Sequence, residues 1–304
     1  MTRPKELIVP KYETRIILFI DFLGFKEEVE RTKKDAECLS NLIDALDLIG
    51  VAGELTTNSS QQVTQFSDSL VVSYKVSETS GVFWMANVIA LTIIQLVGHG
   101  YLLRGAVTIG KLYHTQRHLV GPAMVAAYEM ESKVACVPRV IFDPKIIKAA
   151  RRHPQPGHSP DEEEAYVRHF VKTDLDGQLY LDFVTWKSVV EVAGLDSDEY
   201  PAYLGKLSGL IKRGLKHEDV RVVEKYLWLH RAYAAERDRF ATIPAKYVQD
   251  PDYIRAITAL PHFKTLAKKA RQHLKAAKKR CLEHGPGNKS AERTTPNEPL
   301  SDCH

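Results

Sequence analysis

The first patterned segment, TRIILFID (Thr14 to Asp21), is a run of apolar and β-branched residues without polar alternation, which predicts a strand buried on both faces. It stops at a carboxylate. From Gly24 to Ile49 the spacing changes. Phe25, Val29, Leu39, Leu42, Ile43, Leu46 and Ile49 recur at helical intervals, so a tight turn and a long helix follow the strand. GELTTNSS interrupts that pattern, and QQVTQFSDSLVVSYKV then supplies two short β-rich runs meeting at Ser67-Asp68, a hairpin with Asp68 at its tip. An uncharged helix over 79–97, a strand over 101–110, a helix over 121–135 with Pro122 in its first turn, and a strand over 138–143 complete the pattern.

The order through residue 143 is β-α-β-β-α-β-α-β, a mixed α/β arrangement with an antiparallel hairpin inside it. This is the order of a ferredoxin-like palm with one extra helix-strand unit. In that topology the first strand lies against the hairpin strands, so Asp21 is expected beside Asp68 although 47 residues separate them. Beyond the palm, RRHPQPGHSPDEEE is Pro-rich and charged, a hairpin is expected around Asp176-Gly177, and 198–281 reads as mainly helical. The expected organisation is an arm over 1–13, a core over 14–143, and a linker or exposed loop over 144–164. A mainly helical extension over 165–283 and a disordered tail over 284–304 follow.

Composition adds limits rather than detail. With 44% hydrophobic and 26% charged residues the chain has the balance of a folded globular protein, not of a disordered or fibrous one. The net charge of +4 is local. Residues 262–281 hold eight Lys/Arg and no Asp or Glu, so the rest carries −4 and the overall basicity gives no case for nucleic acid. A solvated helix packed on the body is the plain account of that basic stretch. The four cysteines are scattered without metal-ligand spacing and read as reduced thiols in a cytoplasmic protein, and the N-terminus has no apolar core of a secretory signal. The charge-free stretch between Glu78 and Arg104 has an apolar run of about 16 residues, under the ~20 a membrane span needs, so a buried helix is expected.

The candidate chemistry starts from Asp21 and Asp68. Two carboxylates at strand ends in an apolar neighbourhood repel one another unless a cation joins them. Oxygen ligands suit Mg²⁺ or Mn²⁺, and no His or Cys stands nearby in sequence to suggest zinc. The turn Phe22-Leu23-Gly24-Phe25 would offer amide groups and a helix N-terminus to a phosphate. The alternative is local: Asp21 caps a helix and Asp68 fills a tight turn. Asp174 and Asp176 in DLDG could be a metal loop, but a glycine turn is the simpler account.

FIDFLGF at 19–25, FSDSLVV at 66–72, LLRGAVTIG at 102–110 and VGPAMVAAYEMES at 120–132 resemble, in order and spacing, the core of class III nucleotidyl cyclases. RGAVTIGKLYH, GPAMVAAYEME and PRVIFD, with KYLWL at 225–229, are most similar to the pyrimidine cyclases of Pycsar antiphage systems. The resemblance implies two divalent ions held by Asp21, Asp68 and the backbone carbonyl of Phe22, and a phosphate cradle of Phe22, Leu23, Gly24 and Phe25. It implies a homodimer that converts CTP or UTP to a cyclic nucleotide, which acts on a separate effector. Two departures stand out. The positions where purine-specific relatives carry Asn and a transition-state Arg are Val125 and Glu129, which leaves Arg104 and Lys111 as the nearest cations in sequence, and the base-reading position is Thr64. A purine cyclase and a catalytically silent nucleotide-binding module therefore stay open as alternatives.

Overall fold

The computed structural model describes residues 9–54, 60–244 and 250–284. Strand β1 (Glu13–Phe22) is the apolar run of the N-terminal region, and six consecutive residues, Arg15 to Ile20, are buried. A residue can be hidden on both faces only in an interior strand. β1 accordingly pairs antiparallel with β3 (Ser69–Lys75) on one side and β4 (Leu103–His114) on the other. The hairpin partner β2 (Gln62–Phe66) lies outside β3, and the mixed sheet runs β2-β3-β1-β4-β6-β8-β7, with the short β5 (Leu119–Val120) folding back on the end of β4. Parallel pairing occurs between β4 and β6 (Val140–Phe142).

The sheet has two different faces. Ile16, Leu18, Ile20 and Phe22 of β1 join Leu70, Val72 and Tyr74 of β3 in the large core, beneath α2 (Ala36–Glu54) and α3 (Gly81–His99). Twelve residues of α3 are buried, so this helix, apolar and long enough to cross a bilayer, has its surface consumed by protein packing instead. The opposite face is built from Ile17, Phe19, Val71 and Leu112, and α4 (Pro122–Glu129) covers its centre through Ala123 and Ala127. At both ends of the strands that second face carries polar side chains.

Three expectations change. The long helix over 24–49 is two helices, α1 (Phe25–Thr32) and α2, because the Asp35 carboxylate accepts the amides of Glu37 (2.9 Å) and Cys38 (3.4 Å) and starts a new helix. The helix over 121–135 becomes a π-helical turn over Met130–Ala135. Residues 144–164 are not a loop. They hold α5 (Lys145–Arg152), which buries Ile146, Ile147, Ala149 and Ala150, and the start of α6 (Pro160–Phe170), where Ser159 and Glu162 form a capping box. The charged residues that suggested a linker are that cap and the exposed face of α6.

The C-terminal part grows out of the same sheet. β7 (Val171–Thr173) and β8 (Leu179–Leu181) make the hairpin expected around Asp176-Gly177, and β8 pairs with β6. Helices α7 (Tyr200–Gly214), α8 (Val220–Ala241), α9 (Pro251–Thr258) and α10 (Lys264–His284) follow. One cluster of buried apolar side chains extends from Ile16 to Ala270, so palm and extension share a core. The basic helix α10 packs on α8 through Ala267 and Ala270, and its Lys278 reaches Glu224 at 2.6 Å. The expected tail over 284–304 lies outside the described residues after His284.

Candidate active site at the end of the central strands

Register decides which side chains meet. Asp21, one residue before the end of β1, stands opposite Ser69 on β3 and opposite Arg104 on β4. Paired residues point to one face, so the three side chains converge. The Ser69 hydroxyl donates to Asp21 Oδ1 at 3.1 Å, and the Arg104 guanidinium lies 3.9 Å from Asp21 Oδ2. Asp68 occupies the β2-β3 turn after Ser67, whose φ is 54°, and its carbonyl accepts the amide of Phe22 at 3.1 Å. That bond ties the hairpin tip to the end of β1.

The Asp21 carboxyl is pushed up to about 6. Burial is the main cause, followed by the negative charges of Asp68 and then Glu131, with the Ser69 hydrogen bond and Arg104 opposing. A pair of carboxylates is therefore held together at a cost that a cation would relieve. Among the described residues no group of three or more His, Cys, Asp or Glu is arranged to hold a metal. Two carboxylates without further protein ligands fit Mg²⁺ or Mn²⁺ of the kind whose shell is completed by water and substrate phosphates, and they do not fit zinc.

The turn after Asp21 is fixed from the core side. The Phe22 ring is buried between Tyr101 (centroids 5.6 Å apart) and Phe25 (6.2 Å), and Gly24 adopts φ 81°, in the left-handed region. Of the four residues expected to cradle phosphate, Phe22 and Leu23 have their amides taken by the carbonyls of Asp68 and Leu102 (3.0 Å). The amide cradle thus reduces to Gly24 and Phe25 at the start of α1.

Lys111 does not join the site. It is exposed and pairs with Thr14, seven residues along β4 from Arg104, roughly 23 Å at the usual strand rise, and on the other side of the pleat. Thr64 stands opposite Val71, two rungs from the level of Asp21 and two strands across. Its hydroxyl is hydrogen-bonded to His114 Nε2 at 2.9 Å. His114 Nδ1 meets the Ser73 hydroxyl at 2.8 Å, and Arg15 Nε donates to that same oxygen at 2.9 Å. The His114 pKa is lowered to about 4 by burial and then by Arg15, so the imidazole is neutral, with one ring nitrogen donating and the other accepting.

Two residues of the site have no signal in the sequence. Glu131, on the π-helical turn after α4, is buried and pairs closely with Arg104. Burial pushes its carboxyl up while Arg104 opposes. Lys225 of α8 is half-buried within electrostatic reach of Arg104 and Asp21. Only an unbroken helical pattern would have been read at either position. Asp174 and Asp176, by contrast, are a structural turn: Arg139, itself buried, holds Asp174 at 2.5 Å and Asp176 at 2.5 Å.

No protein-family model and no curated protein sequence matches the chain. Solved structures with limited likeness include a bacterial light-regulated adenylyl cyclase, at 13% identity over 46% of this chain and 80% of that one, with a TM-score of 0.37. The adenylyl cyclase CyaB from P. aeruginosa matches at 12% identity over 57% and 95%, TM-score 0.37. A class III adenylyl cyclase-like ATP-binding protein from Pseudomonas aeruginosa matches at 11% over 60% and 40%, TM-score 0.37. Likeness at this level does not decide function, which has to be read from the site itself.

Proposed function

We infer that the chain is a nucleotidyl cyclase acting on a pyrimidine nucleoside triphosphate. The observation that carries this reading is the meeting of Asp21, Asp68 and Arg104 at one end of the central strands, with the Asp21 carboxyl raised by burial and then by neighbouring negative charge. Asp21 and Asp68 are the residues that would hold divalent ions, with the Phe22 carbonyl beside them. When bound, such ions lower the pKa of an attacking hydroxyl and neutralise a triphosphate.

In the reaction the substrate's 3′-oxygen forms a bond to its own α-phosphorus. The bond from that phosphorus to the β-bridging oxygen breaks, pyrophosphate leaves with the electron pair, and the hydroxyl proton passes to water. The amides of Gly24 and Phe25 at the start of α1 orient the terminal phosphates. Arg104 supplies fixed positive charge near the reacting phosphate, and Glu131 holds its guanidinium in place.

Thr64 supports the pyrimidine reading. Its hydroxyl, shared with His114 Nε2 at 2.9 Å, can donate or accept, and cytosine and uracil both present donor and acceptor groups on one edge. The position lies about 7 Å along the strands and ~10 Å across them from Asp21, a separation suited to a nucleotide's length. The homodimer belongs to the same proposal: Val120, Val125 and Tyr128 are exposed together on and beside α4, on the site's face of the sheet. The cyclic product would act on a separate effector, as in an antiphage signalling pair.

A silent nucleotide-binding module is the second reading, favoured by Val125 and by Glu129, which is turned to Lys133 at 2.6 Å on the surface rather than replaced by a cation. One experiment separates the readings. The purified protein, Asp21→Ala and Asp68→Ala are each incubated with the four ribonucleoside triphosphates and Mn²⁺, and products are identified by mass. Cyclic CMP or cyclic UMP from the wild type alone is expected. A purine product alone would refute the base assignment, and no cyclic product would leave the silent module.

A further inference from the structure

We propose that the cleft between α1, α2, the end of α3 and α7 is a binding site for a small phosphate-bearing molecule, distinct from the site at Asp21. The cleft holds about 380 Å³, within the range of small-ligand sites, roughly 300–1,000 Å³. Glu28 and Arg31 line it from α1, Asn41 from α2, and Lys206 and Arg213 from α7, around the chain from Gly98 to Tyr101. Among the described residues it shares no lining side chain with the Asp21 site, and nothing in it depends on the cyclase reading.

The first support is charge. Arg31, Lys206 and Arg213 face a single carboxylate, and that carboxylate, Glu28, is already taken by Arg31 at 2.8 Å. The side chains of Lys206 and Arg213 form no hydrogen bond and no ion pair among the described residues. Contact distances place both heads at the end of α3. Lys206 Nζ lies 3.5 Å from where a Cβ on Gly98 would stand, and Arg213 Nη2 lies 3.5 Å from where one on Gly100 would stand. Two unbalanced cations so placed complement a dianion, which is the charge of a phosphate group, better than a single carboxylate.

Capping of α3 does not account for these cations. The Leu96 carbonyl accepts from Tyr101 at 2.9 Å, that of Val97 from Gly100 at 3.1 Å, and that of His99 from Asn41 Nδ2 at 3.1 Å. The second support is a donor left over in the wall. The Tyr101 hydroxyl accepts from Asn41 Nδ2 at 3.1 Å, and the bond of that nitrogen to the His99 carbonyl fixes the orientation of the amide. Tyr101 is 5% exposed, and its phenol hydrogen has no acceptor among the described residues. A buried hydroxyl with an unused proton, beside two unpaired cations, is a donor set for phosphate oxygens.

The third support is the helix that the ligand would hold. No residue of α1 is fully buried, so little packing fixes it. Arg31 stands in its last turn and uses only Nη1 on Glu28, which leaves Nη2 and Nε for a phosphate. An anion shared by Arg31, Lys206 and Arg213 ties α1 to α7. The start of α1 is joined to the same cleft through the edge-to-face contact of Phe22 with Tyr101, 5.6 Å between centroids.

The test is calorimetric titration of the full chain with pyrophosphate in EDTA, where the metal-free carboxylates of Asp21 and Asp68 repel the same anion and keep it from their site. Wild type is expected to bind one pyrophosphate per chain, and acetate, a monoanion, far more weakly. Lys206→Gln and Arg213→Gln should each weaken pyrophosphate binding on the order of ten-fold, through loss of one charge-assisted contact. Tyr101→Phe should weaken it by less. Lys148→Gln, which removes an exposed cation of α5, should bind as wild type does and so separates a built site from diffuse attraction. Hydrogen exchange in α1 should slow when pyrophosphate binds to wild type. Absence of saturable binding at millimolar pyrophosphate, acetate binding as tight as pyrophosphate, or unchanged affinity in a folded Lys206→Gln or Arg213→Gln would overturn the proposal. So would an equal loss in Lys148→Gln, or α1 exchange that a bound anion leaves unaltered. Lys206 and Arg213 are exposed, and thermal melting checks that the variants fold; if Arg213→Gln does not, Lys206→Gln decides.

Discussion

Asp21 shows how one side chain acquires its properties from neighbours. Burial and the charges of Asp68 and Glu131 make its ionised form unfavourable, so at neutral pH the metal-free protein holds a carboxylate it would be more stable without. Asp21→Asn should therefore melt a few degrees higher than wild type without metal at pH 7.5. The wild type should be stabilised further by MnCl₂ and the variant should not, as thermal melts with and without the ion would record. His114 gives the opposite pH lesson. Its pKa in the folded protein, about 4, lies below the ordinary value, so between that value and pH 4 the unfolded chain takes up a proton that the folded one does not. Stability contributed by the neutral imidazole is fully present above the unfolded pKa and is lost as the pH falls towards 4. Urea unfolding across that range should show a steeper decline for wild type than for His114→Gln.

At the scale of elements, the hinge between β1 and α1 matters most. Gly24 is in the left-handed region with open space around it, so an added methyl meets no clash and the cost is conformational. Gly24→Ala should lose about 1 kcal/mol of stability in urea unfolding. Nucleotide affinity should fall with it, because the turn carries the Gly24 and Phe25 amides. The π-helical turn after α4 is a comparable device. By breaking the helix at Met130 it brings Glu131 onto Arg104, and the resulting pair fixes the guanidinium that β4 aims at Asp21.

Across the whole molecule, Asp174 is the joint between the palm and the helices. It accepts from Arg139, Arg231 and the Trp228 indole while nearly buried. Asp174→Ala leaves Arg139 with Asp176 and the carbonyls of Val134 and Ala135, and breaking a buried pair of this kind costs about 3 kcal/mol. The variant should unfold at lower urea concentration. Hydrogen exchange should rise in α8 before it rises in β1, since α8 loses two of its anchors and β1 loses none.

The sequence by itself determined the elements of the palm and the partners within it. An apolar strand ending in Asp21, a hairpin turning at Asp68 and a charge-free helix are local patterns, and their order left few ways to arrange them. Arg104 could be suspected because it follows from the same strand. Other features required the folded chain. The register that sends Lys111 seven rungs away from Asp21 depends on how β4 pairs along its whole length. The capped helices within 144–164 bury residues that only neighbouring elements make apolar surroundings for. Glu131 and Lys225 come from a π-turn and from a helix some two hundred residues after β1, and charges so distant in sequence come within electrostatic reach only because one continuous core folds the C-terminal helices back onto the palm.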